Sequence, residues 1–180
     1  MMIKCERISL EPLAVKHYST AYEYSTDIEN TRMMCFMPCD DGSEVMDYLS
    51  KCEKQWNSDK PEYLDAAVML DDKHIGAVSV EFLENGTVGE FGWIIHKNYW
   101  GNGYAVEAVR HFMKYCTEKY GLKKYIAHAD SENTASKRVM EKLGMSLVSI
   151  STGRKNRNSD ELRNECLYEI IAQDKKHGRV

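Results

Sequence analysis

A pair of glycines between a strand pattern and a helix pattern is the feature that most constrains how this chain folds. The segment from Trp93 to Ala108 reads WIIHKNYWGNGYAVEA, in which apolar strand-forming residues precede the glycines and an apolar helical pattern follows them. Gly101 and Gly103 permit a turn that leaves backbone N–H groups uncovered where the helix begins. Because the positive end of the helix dipole points the same way, the turn is predicted to bind phosphate, and a coenzyme is the expected source.

The length and charge of the chain indicate an ordinary globular protein. Its 180 residues fit one domain, which we expect to span 1–175 with a flexible tail at 176–180. The net charge of −4 gives no basic field, so nucleic acid is not the expected partner. Apolar runs are too short to span a membrane, and the charged N-terminus is unlike a signal peptide, so no membrane association and a cytoplasmic location are expected.

The cysteine pattern predicts free thiols rather than a metal centre. Six cysteines are scattered through the chain, at Cys5, Cys35, Cys39, Cys52, Cys116 and Cys166. Buried reduced thiols are typical of a reducing compartment. Cys35, Cys39 and Cys52 could be metal ligands, but no second cysteine pair or spaced histidine pair completes such a set. No metal site is therefore predicted.

Hydrophobic periodicity predicts the element order β-α-α-β-β-β-α-β-α-β-β in a mixed α/β sheet. A first strand is expected over 3–10, and Pro12 is expected to open the first helix. The Asn85-Gly86 pair is a strong hairpin signal between two of the three central strands. The remaining strands are predicted over 63–70, 74–83, 87–96, 125–129, 147–152 and 166–171. The last two flank a basic loop that contains Arg154, Lys155 and Arg157, which we expect to be solvated.

Further motifs make the glycine turn more specific. The segment NTASKRVMEKLGM begins at Asn133, the chain opens with ERISLEPL, and it ends with a CLYEII strand. With WGNGYAVEA, these motifs resemble the GNAT family of N-acetyltransferases, within it the RimJ/RimL-like branch, over nearly the whole chain. The resemblance implies an α/β (α+β) fold in one domain. Its mixed, mainly antiparallel sheet would be flanked by helices and splayed between the fourth and fifth strands.

The resemblance also implies where acetyl-CoA binds. The family's pyrophosphate signature, Gln/Arg-x-x-Gly-x-Gly/Ala, corresponds to Trp100, Gly101, Asn102, Gly103, Tyr104 and Ala105, and Trp100 departs from the usual Gln or Arg. The pantetheine arm is expected to pair with backbone near Ile94, Ile95 and His96. A backbone N–H near Ile94 would then stabilise the oxyanion of the tetrahedral intermediate. Asn133 matches the family asparagine that contacts the arm.

Two side chains are candidates for the proton transfers. An acceptor amine must lose a proton, and Glu90 is the candidate base because burial near Phe91 and Trp93 would raise its pKa. A solvated strand residue or a structural ion-pair partner is an equally good interpretation of Glu90. Ser136 could hydrogen-bond the departing sulfur, or could only bond backbone. The tyrosine that many family members place seven residues after the asparagine is replaced by Met140.

The sequence thus predicts an acetyl-CoA-dependent N-acetyltransferase that acts by direct transfer in a ternary complex. Its acceptor would be a small-molecule amine or a protein N-terminus, and the sequence leaves open whether the chain forms a homodimer. A non-catalytic acyl-CoA-binding or regulatory protein on the same fold is the alternative. A binder of another phosphorylated ligand is a third, weaker one. The acceptor site is expected around 25–60 and in the 153–165 loop.

Overall fold

The computed structural model describes residues 2–172, and within them eight strands form one sheet in the order β1-β2-β3-β4-β5-β6-β8-β7. The predicted tail at 176–180 lies outside the described residues. The strands are β1 (Ile3–Lys4), β2 (Ser9–Pro12), β3 (Tyr63–Leu70), β4 (Lys73–Leu83), β5 (Val88–Ile95), β6 (Lys124–Asp130), β7 (Ser146–Lys155) and β8 (Leu162–Ile171). This mixed, mainly antiparallel sheet confirms the predicted fold class.

Helices cover both faces of the sheet. They are α1 (Tyr18–Thr26), α2 (Ile28–Thr31), α3 (Gly42–Trp56), α4 (Tyr104–Tyr120) and α5 (Thr134–Lys142), with short 3₁₀ turns at Val15–His17, Glu84–Gly86 and Lys97–Tyr99. Residues of α1 and α3 pack on one face, where Tyr24 and Leu49 meet Ile94 of β5. Residues of α4 pack on the other face, where Phe112 meets Phe91 of β5. We call these the α1/α3 face and the α4 face.

The splay expected between the fourth and fifth predicted strands lies between β5 and β6, because the first predicted strand is divided into β1 and β2. Strands β5 and β6 are the one parallel pair among the described strands, and their pairing covers only Val88–Glu90 against Lys124–Ile126. Beyond Glu90 the two strands part, while β4 continues to pair with β5 as far as Ile95. The sheet therefore opens into a V whose apex lies at Glu90.

The N-terminal segment differs from its prediction. Two short antiparallel strands replace the single strand expected over 3–10, with a turn closed by the Cys5 N–H donating to the Ile8 carbonyl oxygen at 3.0 Å. The chain bends there because the carboxylate of Glu107 in α4 accepts the backbone N–H of Arg7 at 2.6 Å. Pro12 ends β2 instead of opening a helix, and α1 begins at Tyr18.

Local capping explains where α3 begins. The Asp41 carboxylate accepts the backbone N–H groups of Ser43 at 2.8 Å and Glu44 at 3.1 Å, which satisfies two donors of the first turn. Val45 and Leu49 of α3 are fully buried against the sheet. Within the described part of the chain, no helix is long and apolar enough to cross a membrane.

Candidate active site

A cleft of about 500 Å³ lies at the open end of the V, between β5, the glycine turn and α5. Most of the residues that the sequence assigned to coenzyme binding or catalysis line it together. They are Ile94, Ile95, Trp100, Gly101, Gly103, Tyr104, Ala105, Asn133 and Ser136. Segments separated by up to about 40 residues in the sequence thus meet at one cleft.

The glycine turn has the backbone geometry that phosphate binding requires. Gly101 and Gly103 have φ angles of +80° and +82°, in the region that favours glycine. A Cβ at Gly101 would meet no protein atom within 4 Å, so the space beside this residue is open. The first bond of α4 joins the Glu107 N–H to the Gly103 carbonyl oxygen, which leaves the N–H groups of the preceding turn to other acceptors. These donors converge at the positive end of a 17-residue helix.

Arg7 supports this turn from the N-terminal hairpin, although no sequence signal indicated it. Its Nη1 donates to the Asn102 carbonyl oxygen at 2.9 Å, and its Nε donates to Glu107 at 2.8 Å. The guanidinium also lies 5.0 Å from the centre of the Tyr104 ring. Glu107 is buried in the first turn of α4, where its charge would repel an anion. Arg7 offsets that charge and fixes the turn.

Trp100 replaces the polar first residue of the pyrophosphate signature and forms a bond of its own. Its Nε1 donates to the Ile95 carbonyl oxygen at 2.6 Å, and the Asn30 side chain donates to the same oxygen at 3.2 Å. About half of the Trp100 surface remains exposed at the cleft. The indole thus closes the end of β5, while its outer side remains available to a ligand.

The backbone of β5 presents free donors to the V. The His96 N–H donates to the Ile75 carbonyl oxygen beside β4 at 2.8 Å. Because N–H groups alternate in direction along a strand, the Ile94 N–H also faces β4, and those of Trp93 and Ile95 face the gap towards β6. The N–H groups near Ile94 that could act as the expected oxyanion donor are therefore those of Trp93 and Ile95, and the role itself stays a prediction. Trp93 is the nearer of the two to the apex.

Asn133 and Ser136 lie at the start of α5. The Asn133 side-chain oxygen accepts the Ser136 backbone N–H at 3.0 Å and so caps the helix, and Asn133 is one of the residues that line the cleft. Ser136 is partly buried and lines the cleft. Met140 is fully buried against β6, away from the cleft, in the cluster that includes Ala127 and Cys166. No acid can therefore act from position 140.

Glu90 lies at the apex of the V, on the α1/α3 face. It is directly opposite Glu81 of β4 and alternates with Phe91, which points to the α4 face. Burial raises the pKa of the Glu90 carboxyl, nearby Glu81 and Glu165 add to the rise, and His128 opposes it. The predicted direction of the pKa agrees, but neighbouring carboxylates contribute where the sequence suggested Phe91 and Trp93.

Two residues assigned to the coenzyme do not line the cleft. The His96 Nδ1 accepts the Asn98 backbone N–H at 3.2 Å, and its side chain borders a separate depression beside α1. The Asn102 amide donates to the carbonyl oxygens of Tyr99 and Trp100, both at 3.1 Å, so it holds the turn in shape. Their assignment to the coenzyme stays a prediction.

The basic segment is docked rather than freely solvated as expected, and β7 extends through its Arg154 and Lys155. Arg154 is largely buried, and its Nη2 donates to the Met33 carbonyl oxygen at 3.1 Å. Arg157 pairs with Glu44 at 2.5 Å and donates its backbone N–H to the Met34 carbonyl oxygen at 2.9 Å. The end of β7 and the loop after it therefore contact the methionine-rich segment, residues 30–42, and together they form a wall on the α1/α3 face beside the V.

The comparisons with known proteins agree with this geometry. Residues 7–146 match the family model described as "Acetyltransferase (GNAT) domain". The uncharacterized N-acetyltransferase YnaD of Bacillus subtilis is 27% identical over 145 residues, which are 81% of this chain and 82% of YnaD.

Solved structures share the fold at low sequence identity. RimL, an α-N-acetyltransferase of a ribosomal protein solved with coenzyme A, has a TM-score of 0.85 at 11% identity and covers 95% of this chain and 98% of its own. The microcin C7 self-immunity acetyltransferase MccE, solved with acetyl-CoA and AMP, has a TM-score of 0.81 at 16% identity, with 93% of each chain covered. Because the family model spans most of the chain, this protein belongs to the GNAT acetyltransferase family.

Proposed function

We propose that this protein transfers the acetyl group of acetyl-CoA to a primary amine by direct transfer in a ternary complex. The observation that carries the proposal is the meeting, at one cleft, of the glycine turn, the unpaired edge of β5 and Ser136. The complexes of MccE with acetyl-CoA and of RimL with coenzyme A support it. The acceptor would be a small-molecule amine or a protein N-terminus.

The residues of the cleft fit acetyl-CoA. The open space beside Gly101 and the donors of the first turn of α4 suit a pyrophosphate. The N–H groups of Trp93 and Ile95 suit the amide-containing pantetheine arm, which would run along β5 as an added strand. Asn133 lines the same cleft from the start of α5.

The chemistry follows from these positions. The amine nitrogen attacks the thioester carbon, the Trp93 N–H stabilises the oxyanion, and the carbon–sulfur bond then breaks. Glu90 takes the proton that the amine loses, directly or through a water molecule. The Ser136 hydroxyl hydrogen-bonds the departing sulfur, which takes up a proton to leave as the thiol of CoA.

Thiol release measured with acetyl-CoA and a panel of amines tests this function. The panel contains a peptide with a free N-terminal serine, spermidine, tyramine and kanamycin, which represent four classes of acceptor. We expect thiol release above the amine-free background with one class, and an N-acetylated product of matching mass. Release without acetylated amine, or none with any amine, would count against transfer.

One observation favours a second candidate, a non-catalytic acyl-CoA-binding or regulatory protein. The buried Met140 leaves the thiol side without the tyrosine acid that many family members have. Binding of acetyl-CoA without transfer to any amine would support this alternative. For either function, a cytoplasmic location of the protein, a single domain over 1–175 and a homodimer remain proposals.

A further inference from the structure

Polar side chains from four strands cluster on the α1/α3 face around the apex of the V. Glu90 of β5 pairs in register with Ile126 of β6, and His128 follows two residues later on the same side of β6. Glu165 of β8 and Arg154 of β7 continue the row. We call Glu90, His128, Glu165 and Arg154 the apex cluster. The proposed function uses only Glu90 among them.

The imidazole of His128 is held in one tautomer. Its Nδ1 lies 3.1 Å from Glu165 Oε2. Because a carboxylate only accepts hydrogen bonds, Nδ1 carries the hydrogen and Nε2 keeps its lone pair. No residue in the described range 2–172 hydrogen-bonds Nε2, and 30% of the side chain is exposed. Nε2 is therefore a base with access to water.

Arg154 fixes the carboxylate behind the imidazole. Its Nη1 lies 2.5 Å from Glu165 Oε1, and its own side chain is only 9% exposed. The Nε donates to the Asn156 side-chain oxygen at 2.9 Å, so the guanidinium has little freedom to turn away. A carboxylate shared between Arg154 and His128 orients the imidazole ring.

Glu90 needs an outlet for the proton that it receives. Both residues are partly exposed, and the charge of His128 opposes the rise in the pKa of the Glu90 carboxyl. The lone pair of Nε2 can accept the proton and return it to water.

We propose that His128 takes from Glu90 the proton released by the acceptor amine and passes it to water. This inference rests on the proposed function. The proton moves from the ammonium form of the amine to the Glu90 carboxylate, then to Nε2, and leaves from Nε2, while the Nδ1 hydrogen stays on Glu165. His128 acts through Glu90 and is thus a positioning and relay residue rather than one that touches substrate.

Other charged or titratable groups surround this path. Glu81 faces it from β4, Glu90 from β5, Asp130 from β6 with its partner Arg163 from β8, and Cys35 from the methionine-rich segment. Asp130 is fully buried and held by Arg163 at 2.5 Å and by Asn156 at 2.7 Å. These bonds keep Asp130 ionised, which leaves Glu90 and His128 as the pair that exchanges a proton.

The test compares His128→Gln with wild type in thiol release between pH 6 and 9, using the amine that gives the fastest release in the panel. We expect kcat at pH 7 to fall at least tenfold, with the affinity for CoA unchanged. We also expect the acidic limb of the profile to move to higher pH, because His128 opposes the raised pKa of Glu90 and its removal leaves that rise unopposed. Added imidazole should restore activity to His128→Ala in proportion to its concentration.

His111→Gln is the matched control. His111 forms a similar pair with Glu6, with Nε2 3.0 Å from the carboxylate, but it lies on α4 away from the cleft. It should leave rate and profile unchanged. A wild-type profile for His128→Gln, or a His128→Ala variant that imidazole does not restore, would overturn the relay while leaving the proposed function intact. A wild-type protein that acetylates no amine would overturn both.

Discussion

Arg7 and Glu107 lie 100 positions apart in the sequence and contact each other beside the glycine turn. The Nε and Nη2 atoms of Arg7 both lie 2.8 Å from Glu107 Oε2, and the backbone N–H of Arg7 donates to Glu107 Oε1. The contact joins the N-terminal hairpin to the first turn of α4. It also neutralises a buried carboxylate where the proposed pyrophosphate would bind. The motif at the turn therefore depends on a residue far outside it.

Replacing Arg7 should weaken coenzyme binding. In Arg7→Met, Glu107 loses its counter-ion and the Asn102 carbonyl oxygen loses its donor. We expect the Kd for CoA, measured by calorimetry, to rise about tenfold, equivalent to about 1.4 kcal/mol. Lys114→Met removes the same charge from the exposed side of α4 and should have little effect. Equal losses in both variants would mean that only the overall charge matters.

The glycine turn can be tested with a pair of substitutions of equal conformational cost. Gly101 and Gly86 have φ angles of +80° and +81°, and a Cβ at either would meet no protein atom within 4 Å. Alanine at each site should lower the free energy of unfolding by about 1–2 kcal/mol. We expect only Gly101→Ala to weaken CoA binding, because Gly86 lies in the hairpin before β5. Unchanged binding by Gly101→Ala would place the phosphates elsewhere.

The two carboxylates that face each other across β4 and β5 should have opposite effects on the pH profile. Glu90→Gln should depress transfer chiefly below the pKa of the acceptor amine, where a proton must be removed. Glu81→Gln keeps Glu90 but removes a like charge that raises its pKa. The acidic limb of kcat/KM should therefore move to lower pH in Glu81→Gln. A limb that does not move would separate the profile from the ionisation of Glu90.

Asp65 gives a prediction about stability. Burial under α3 raises its pKa to about 6, although Tyr48 donates to it at 2.6 Å and Cys52 lies nearby. A folded-state pKa above the unfolded value means that the folded state holds the proton more tightly. The associated stability is present below about pH 4 and is lost as pH rises through 6.

Asp65→Asn lacks this titration while keeping an acceptor for Tyr48. Its stability relative to wild type should rise between pH 4 and pH 7 by about 2–3 kcal/mol, measured by chemical denaturation. Asp47→Asn, on the exposed side of α3, should show no such change. A constant difference between Asp65→Asn and wild type would show that Asp65 titrates normally.

The sequence predicted what depends on local patterns. The glycine turn and the hairpin at Asn85 follow from residues within one or two turns of each other. The splay followed from the family resemblance, whereas the predicted element order lacked the second short N-terminal strand and the short helix α2. The cleft brings together most of the residues that the motifs had named, but Glu90, His96 and Asn102 are not among the residues that line it.

Contacts between distant strands could not be predicted in this way. Nothing near Arg7 indicates a partner in α4, and nothing near His128 indicates that Glu165 will be its neighbour once β6 pairs with β8. The loop with Arg154 contains charges typical of a solvated hairpin, and only the fold supplies the Met33 carbonyl oxygen that buries it. Strand register decides these contacts, and it is not visible in one segment alone.

Calorimetric titration with acetyl-CoA measures whether the cleft binds the coenzyme. We predict one site per chain with micromolar affinity in the wild-type protein, competition by CoA but not by ATP or NAD, and weaker binding by Gly101→Ala than by Gly86→Ala. Absence of binding at high micromolar acetyl-CoA, or equal binding of ATP, would contradict this prediction.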